Sequence, residues 1–113
     1  MQRYVVLYCA PLKVAERFAQ ATPEQAMEGM KLWGAWFQKL GPALVDPGKP
    51  LGNAMKVTPA GVETSDSNVI GMTIVQAASM AEALELVKDH HHLSWAEECE
   101  LLVLEEMPIP EME

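Results

Sequence analysis

Apolar and polar positions change period several times along the chain, and each change marks an element. Residues 3–9 (RYVVLYC) are rich in β-branched and aromatic side chains and stop short of Pro11, so they read as a strand. Tyr4, Val6 and Tyr8 fall on one face and Val5, Leu7 and Cys9 on the other. Both faces are apolar, the mark of a strand inside a sheet that is covered on both sides. Residues 12–21 fit either a short helix around Val14, Ala15 and Phe18 or an ordered loop. Thr22-Pro23-Glu24-Gln25 then forms a helix start, with Thr22 as N-cap, Pro23 in the first position and Gln25 completing a capping box. The helix is expected to run to Leu40 and stop at Gly41-Pro42. Met27, Met30, Gly34, Phe37 and Leu40 make a stripe at 3–4 spacing that should face the sheet. Trp33 and Trp36 do not both fit it; they widen the apolar arc or cover a second surface.

Beyond Pro42 the pattern predicts a short strand at 43–46, a turn-rich stretch at 47–53, another strand at 54–58 and a turn at 59–61. A polar loop is expected at 63–68. Residues 69–77 (VIGMTIVQA) are again apolar on both faces and read as a central strand. Ser79 caps a second helix reaching about Asp89, with Glu82 three residues on and a core stripe of Met80, Ala83, Leu84 and Val87. After a loop through residues 90–97, residues 99–107 (CELLVLEEM) form the last strand. Pro108 and Pro110 end regular structure, leaving residues 108–113 as an acidic tail after a single domain at 3–107.

The resulting order, β-α-β-β-β-α-β, defines an α+β class. The expected architecture is a ferredoxin-like protomer, an antiparallel sheet with two helices on one face. Two helices cover one face only, yet the first, fourth and last strands are apolar on both. A second copy of the same sheet, packed through a two-fold interface, is the simplest cover, so a homodimer is expected.

Composition adjusts this picture little. A chain of 113 residues, half of them hydrophobic, supports one core. Aromatics contribute only 6%, while eight methionines suit a core or pocket that adapts in shape. The net charge of −8 repels phosphate backbones, so nucleic acid and anionic membranes are excluded as expected partners. No apolar run reaches the length of a membrane span, and the N-terminus lacks a signal-peptide pattern. Cys9 and Cys99 match no metal spacing, and a cytoplasmic protein with free thiols is the expectation.

Four stretches together, MQRYVVLYCAP, TPEQAMEGMKLWGAWFQKLGPALVDPGKPLG, VIGMTIVQAASMAEALELVKDHHHL and ELLVLEEMPIP, resemble the YCII-related (DGPF-type) domain family. The resemblance spans nearly the whole chain and is weakest at 10–21 and 58–68. It implies a dimeric α/β barrel of ferredoxin-like protomers, and no general reaction follows from it. Members that gave the family its name carry a His/Asp pair, with the His on the first helix. Residues 23–40 here contain no His, and Met30 or Lys31 stands at that place.

His90, His91 and His92 are the only histidines. Three in succession at a helix end cannot all point one way, so they do not read as a three-ligand metal site. The family pattern favours His90 and His92. His92 turned into a pocket would serve as acid, base or hydrogen-bond donor near neutral pH; a plain helix cap is the alternative. Asp46, with Lys49 and Asn53, follows a strand end, where ligand loops often sit, although Asp before Pro-Gly also holds turns. Tyr8, Met30, Trp33 and Phe37 are candidates for an apolar cavity wall. The reading is a small-molecule-binding homodimer without metal or cofactor. One alternative is a cofactor-free isomerase, lyase or oxygenase using His92 and Asp46 as acid–base groups. The other is a regulatory or structural subunit.

Overall fold

A computed structural model describes residues 1–94 and 98–109. The elements are β1 (Gln2–Cys9), α1 (Leu12–Ala19), α2 (Pro23–Leu40), β2 (Leu44–Pro50), β3 (Met55–Thr58), β4 (Gly61–Thr64), β5 (Val69–Ala77), α3 (Met80–Val87) and β6 (Glu100–Glu105). Short 3₁₀ turns at Gly41–Ala43 and His91–Ser94 lead into β2 and follow α3. The molecule is a mixed α+β fold. Its main sheet has the strand order β2-β5-β1-β6, and all its ladders are antiparallel. Strands β3 and β4 form a separate hairpin.

Of the two readings open for residues 12–21 the short helix forms, over Leu12–Ala19, so the described residues contain three α-helices. Strand β2 runs on to Pro50 through the expected turn, using irregular register against β5 at Asp46 and Lys49. Part of the expected polar loop at 63–68 pairs instead as β4. The second helix ends at Val87, and the last strand spans 100–105 rather than 99–107. Residues 95–97 of the expected 90–97 loop, and 110–113 of the expected tail, lie outside the described residues. Among the described residues no helix is long and apolar enough to cross a membrane.

Register places each side chain on its face. Tyr4 stands opposite Val75, Val6 opposite Thr73 and Tyr8 opposite Gly71, with Val103 and Leu101 opposite Val6 and Tyr8 on the β6 side. This face carries the core, packed against Trp36 and Leu40 of α2 and Ala83 and Val87 of α3. The other face presents Val5 opposite Ile74 and Leu104, and Leu7 opposite Met72 and Leu102. Its side chains are half-buried on β1 and β5, and Leu102 and Leu104 remain 47% and 48% exposed.

Helix α2 begins as its sequence dictates. The Thr22 hydroxyl accepts the Gln25 N–H at 3.2 Å, and the Gln25 side-chain oxygen accepts the Thr22 N–H at 2.9 Å. It ends where Gly41 takes a left-handed φ of 52° and donates its N–H to Phe37. Its expected stripe is corrected. Met27 and Met30 are 63% and 68% exposed, while Trp36 and Leu40 are buried, and Trp33 and Phe37 pack beside them. The helix joins the core only through its last two turns, Trp33 to Leu40, and its N-terminal half is exposed. On α3, likewise, Met80 and Leu84 stay exposed and only Ala83 and Val87 of the expected stripe are buried. Ser79 caps it by accepting the Glu82 N–H.

Candidate functional site

Only the C-terminal half of α2 packs into the core, and a cleft is lined by its N-terminal half, by β2 and β5, and by the 3₁₀ turn after α3. The cleft has a volume of about 1320 Å³ and opens to solvent. Met27, Met30 and Trp33 line it from the helix, Lys49 and Met72 from the strands, and His91 and His92 from the turn. Tyr8 forms the inner floor.

Tyr8 is fixed by its neighbours. Its ring lies over Gly71, where an added Cβ would come within 3.3 Å of it, a tight contact that would shift the ring by a few tenths of an ångström. Its hydroxyl lies 2.8 Å from the Thr73 hydroxyl. Thr73 has one proton and donates it to the Pro47 carbonyl at 3.1 Å, so Tyr8 is the donor in the pair. Burial raises the Tyr8 phenol above its ordinary pKa, against the opposing effect of the Thr73 bond. The phenol stays protonated at neutral pH and is no base.

Around Tyr8 the rings form one cluster. Trp33 meets Tyr8 edge-on at 4.8 Å, Trp36 meets His90 at 4.1 Å, and His90 stacks on His91 at 4.2 Å. Trp33 also packs edge-on against both His90 and His91 at 4.8 Å. The turn after α3 folds the three histidines into one group, although adjacent residues of an extended or helical chain diverge. Among the described residues no set of His, Cys, Asp or Glu could hold a metal ion.

The histidines differ in their bonding. The His92 ring nitrogen Nε2 is hydrogen-bonded to the Cys9 carbonyl oxygen at 2.9 Å, tying the turn to the end of β1. The His92 backbone N–H donates to His90 Nδ1 at 2.9 Å. An acceptor Nδ1 carries no proton, so neutral His90 is the Nε2–H tautomer. Burial first, and then the neighbouring His91 and His92, push the His90 pKa down to about 3. Burial, followed by His92, also lowers that of His91. The cleft therefore carries aromatic rings at its inner end, with Lys49 on the β2 side and Glu24 and Glu28 on the α2 side.

The sequence-predicted residues divide clearly. Tyr8, Met30, Trp33, Phe37, Lys49 and His92 all line the cleft. His90 is 2% exposed and stands behind the wall, against Trp33 and Trp36. Asp46 is not among the lining residues; its carboxylate accepts the Gly48 N–H at 2.8 Å and holds the irregular turn within β2. Asn53 is exposed with a φ of 53°, a turn role, and does not line the cleft either. Cys9 and Cys99 are both buried and neither is in a disulfide; burial, then Glu100, raises the Cys9 pKa. His91 and Thr73 were not singled out by the sequence. The pattern x-His-His-His-Leu does not say which ring faces inward, and Thr73 is one polar residue in an apolar strand, a signal of a buried hydroxyl bond.

The class this defines is a mixed α+β protein with an aromatic cleft at one edge of an antiparallel sheet. No family model matches the chain, and no curated protein matches it.

Proposed function

We propose that the protein binds a small organic molecule in the cleft between α2 and the β2–β5 edge, and that it works as a homodimer of the YCII-related type. The observation that carries the binding reading is the cleft itself. Its walls combine exposed methionines on one helix with Trp33 and Tyr8 at the inner end, and a few polar groups converge there, as in ligand sites generally. The strand order β2-β5-β1-β6, with α2 and α3 as crossovers, supports a ferredoxin-like protomer.

The uncovered sheet face supports the dimer. Val5, Leu7, Met72, Ile74, Leu102 and Leu104 form one contiguous apolar surface, of a kind that monomers seldom leave in water. The radius of gyration, 15.9 Å, exceeds the roughly 13 Å expected of a closed domain of this length.

Binding is favoured over acid–base catalysis by the same geometry. Asp46 serves a turn, His92 Nε2 is bonded to a backbone carbonyl, and the other two histidines are held neutral. The test is a thermal-shift screen of flat, apolar metabolites against wild type and Met30→Ala, with sedimentation at micromolar concentration. Hits weakened by Met30→Ala and a particle of twice the 12.5 kDa chain mass are expected. Hits indifferent to both Met30→Ala and Trp33→Ala would remove the cleft reading. A 12.5 kDa particle would remove the dimer.

A further inference from the structure

Strands β3 and β4 stand apart from the core. Met55 lies opposite Thr64, Lys56 opposite Glu63, Val57 opposite Val62 and Thr58 opposite Gly61. Opposed residues of an antiparallel pair share a face, and faces alternate along each strand. Met55, Val57 and Val62 therefore make one apolar face, and the Lys56–Glu63 ion pair, at 3.8 Å, lies on the other. Every residue of the two strands except Thr58 is exposed, with Met55, Val57 and Val62 at 57%, 75% and 65%. None of the hairpin's side chains joins either buried hydrophobic cluster.

A two-stranded hairpin standing in water is marginal at best and needs a further surface to pack on. One cross-strand valine pair and one exposed ion pair do not replace that surface. The base of the hairpin is tied down: the Leu51 N–H donates to the Ile70 carbonyl at 2.9 Å, and the Ser65 N–H to that of Ala54 at 3.2 Å. Its apolar face has no cover among the described residues.

The area that a dimer needs points to the cover. A fully exposed aliphatic side chain offers on the order of 100 Å² of apolar area. On that scale the six partly covered side chains of the open sheet face supply at most about 300 Å² per protomer. A standard interface takes about 800 Å² from each partner, and with about 57% of it apolar, roughly 450 Å² is required. The sheet face alone falls short. Met55, Val57 and Val62 add about 200 Å² on the same scale, which closes the difference.

We propose that the β3–β4 hairpin is a dimerisation arm, whose Met55, Val57 and Val62 face packs against a second copy of this chain beside the open sheet face. This rests on the homodimer reading and adds the element that completes its interface. The two-fold axis buries both arms, so each substitution in the arm acts twice per dimer.

The test uses the full chain. Sedimentation equilibrium gives the dimer dissociation constants of wild type, Val57→Thr/Val62→Thr and Lys56→Thr/Glu63→Thr. Each variant places threonine, a good strand former, at two opposed positions, one pair on each face of the hairpin. Burying four hydroxyls per dimer should weaken association by at least about hundredfold in the first variant. The second, which removes only an exposed ion pair, should stay within about threefold of wild type. In parallel, peroxide oxidation of Met55 is compared with that of Met107, which is 67% exposed. In the dimer Met55 should react several-fold more slowly than Met107, and the two should react alike once the protein is diluted to monomer. A dimer indifferent to Val57→Thr/Val62→Thr, with Met55 as reactive as Met107, would overturn the arm and leave the sheet-face dimer standing. Equal weakening by both variants would overturn the role of the apolar face. Met55 protection that survives dilution to monomer would mean that the hairpin folds over its own chain, and would overturn the arm. A wild-type chain that sediments at 12.5 kDa at every concentration would overturn both the arm and the homodimer reading.

Discussion

The Tyr8–Thr73 pair allows its energetics to be tested atom by atom. Thr73→Val keeps the shape of the side chain but removes the hydroxyl that accepts from Tyr8 and donates to the Pro47 carbonyl. Pro47 is exposed, so water can reach its carbonyl, but Tyr8 is 2% exposed and its O–H is left buried without an acceptor. An orphaned buried donor costs about 1–3 kcal/mol, so about 2 kcal/mol is expected. Tyr8→Phe removes only the donor, and Thr73 keeps its bond to Pro47; the loss is about 1 kcal/mol. In the double variant no orphan remains, so the pair together should cost no more than Thr73→Val alone, a coupling of about 1 kcal/mol or more. Urea unfolding followed by circular dichroism, at one fixed protein concentration, gives all four stabilities. Thermal midpoints should follow at roughly 4 °C per kcal/mol. Strictly additive losses, or Tyr8→Phe costing more than Thr73→Val, would refute the assigned donor direction and the burial argument together.

Three further outcomes follow from the same structure. Gly48→Ala should destabilise by about 3 kcal/mol or prevent folding, because φ is +73° and the new Cβ would run into the Met72 carbonyl; Gly52→Ala, facing open space, should stay within about 0.5 kcal/mol, and equal urea midpoints would contradict this. Folded His90 stays neutral down to about pH 3, whereas the unfolded imidazole takes its proton near 6.5. Below 6.5 the unfolded chain therefore binds more protons, and stability falls as pH drops from about 7 to 5, by at most about 1.4 kcal/mol per unit for each such His. His90→Asn, whose side-chain oxygen can accept the His92 N–H, should flatten that slope in urea unfolding; an unaltered slope would exclude His90 as its source. Asp46→Asn should change stability by about 0.5 kcal/mol or less, since an amide oxygen also accepts the Gly48 N–H, and a larger loss of the urea midpoint would show that the carboxylate charge matters.

Local sequence determined what short-range chemistry can determine. Thr22, Pro23 and Gln25 start α2 and Gly41 stops it, because capping bonds and a left-handed glycine depend only on residues a few positions apart. The two-sided apolar character of residues 3–9 and 69–77 marked β1 and β5 as strands inside the sheet, and both are its central strands; that they pair with each other is decided by the fold. Cleft residues such as Tyr8, Met30, Trp33 and Lys49 were also legible, being large or charged groups at strand ends and on one helix. Three dimensions decided the rest. The stripe expected on α2 holds at Phe37 and Leu40 and fails at Met27, Met30 and Gly34, because a helix buries whichever side its far contacts require, and here the core takes Trp33 and Trp36 instead. Asp46 and His92 were paired in expectation, but β2 register gives Asp46 to the Gly48 amide while the turn after α3 gives His92 to the Cys9 carbonyl. The tautomer of His90 depends on a bond that only the folded turn brings together, so no pattern along the chain announces it.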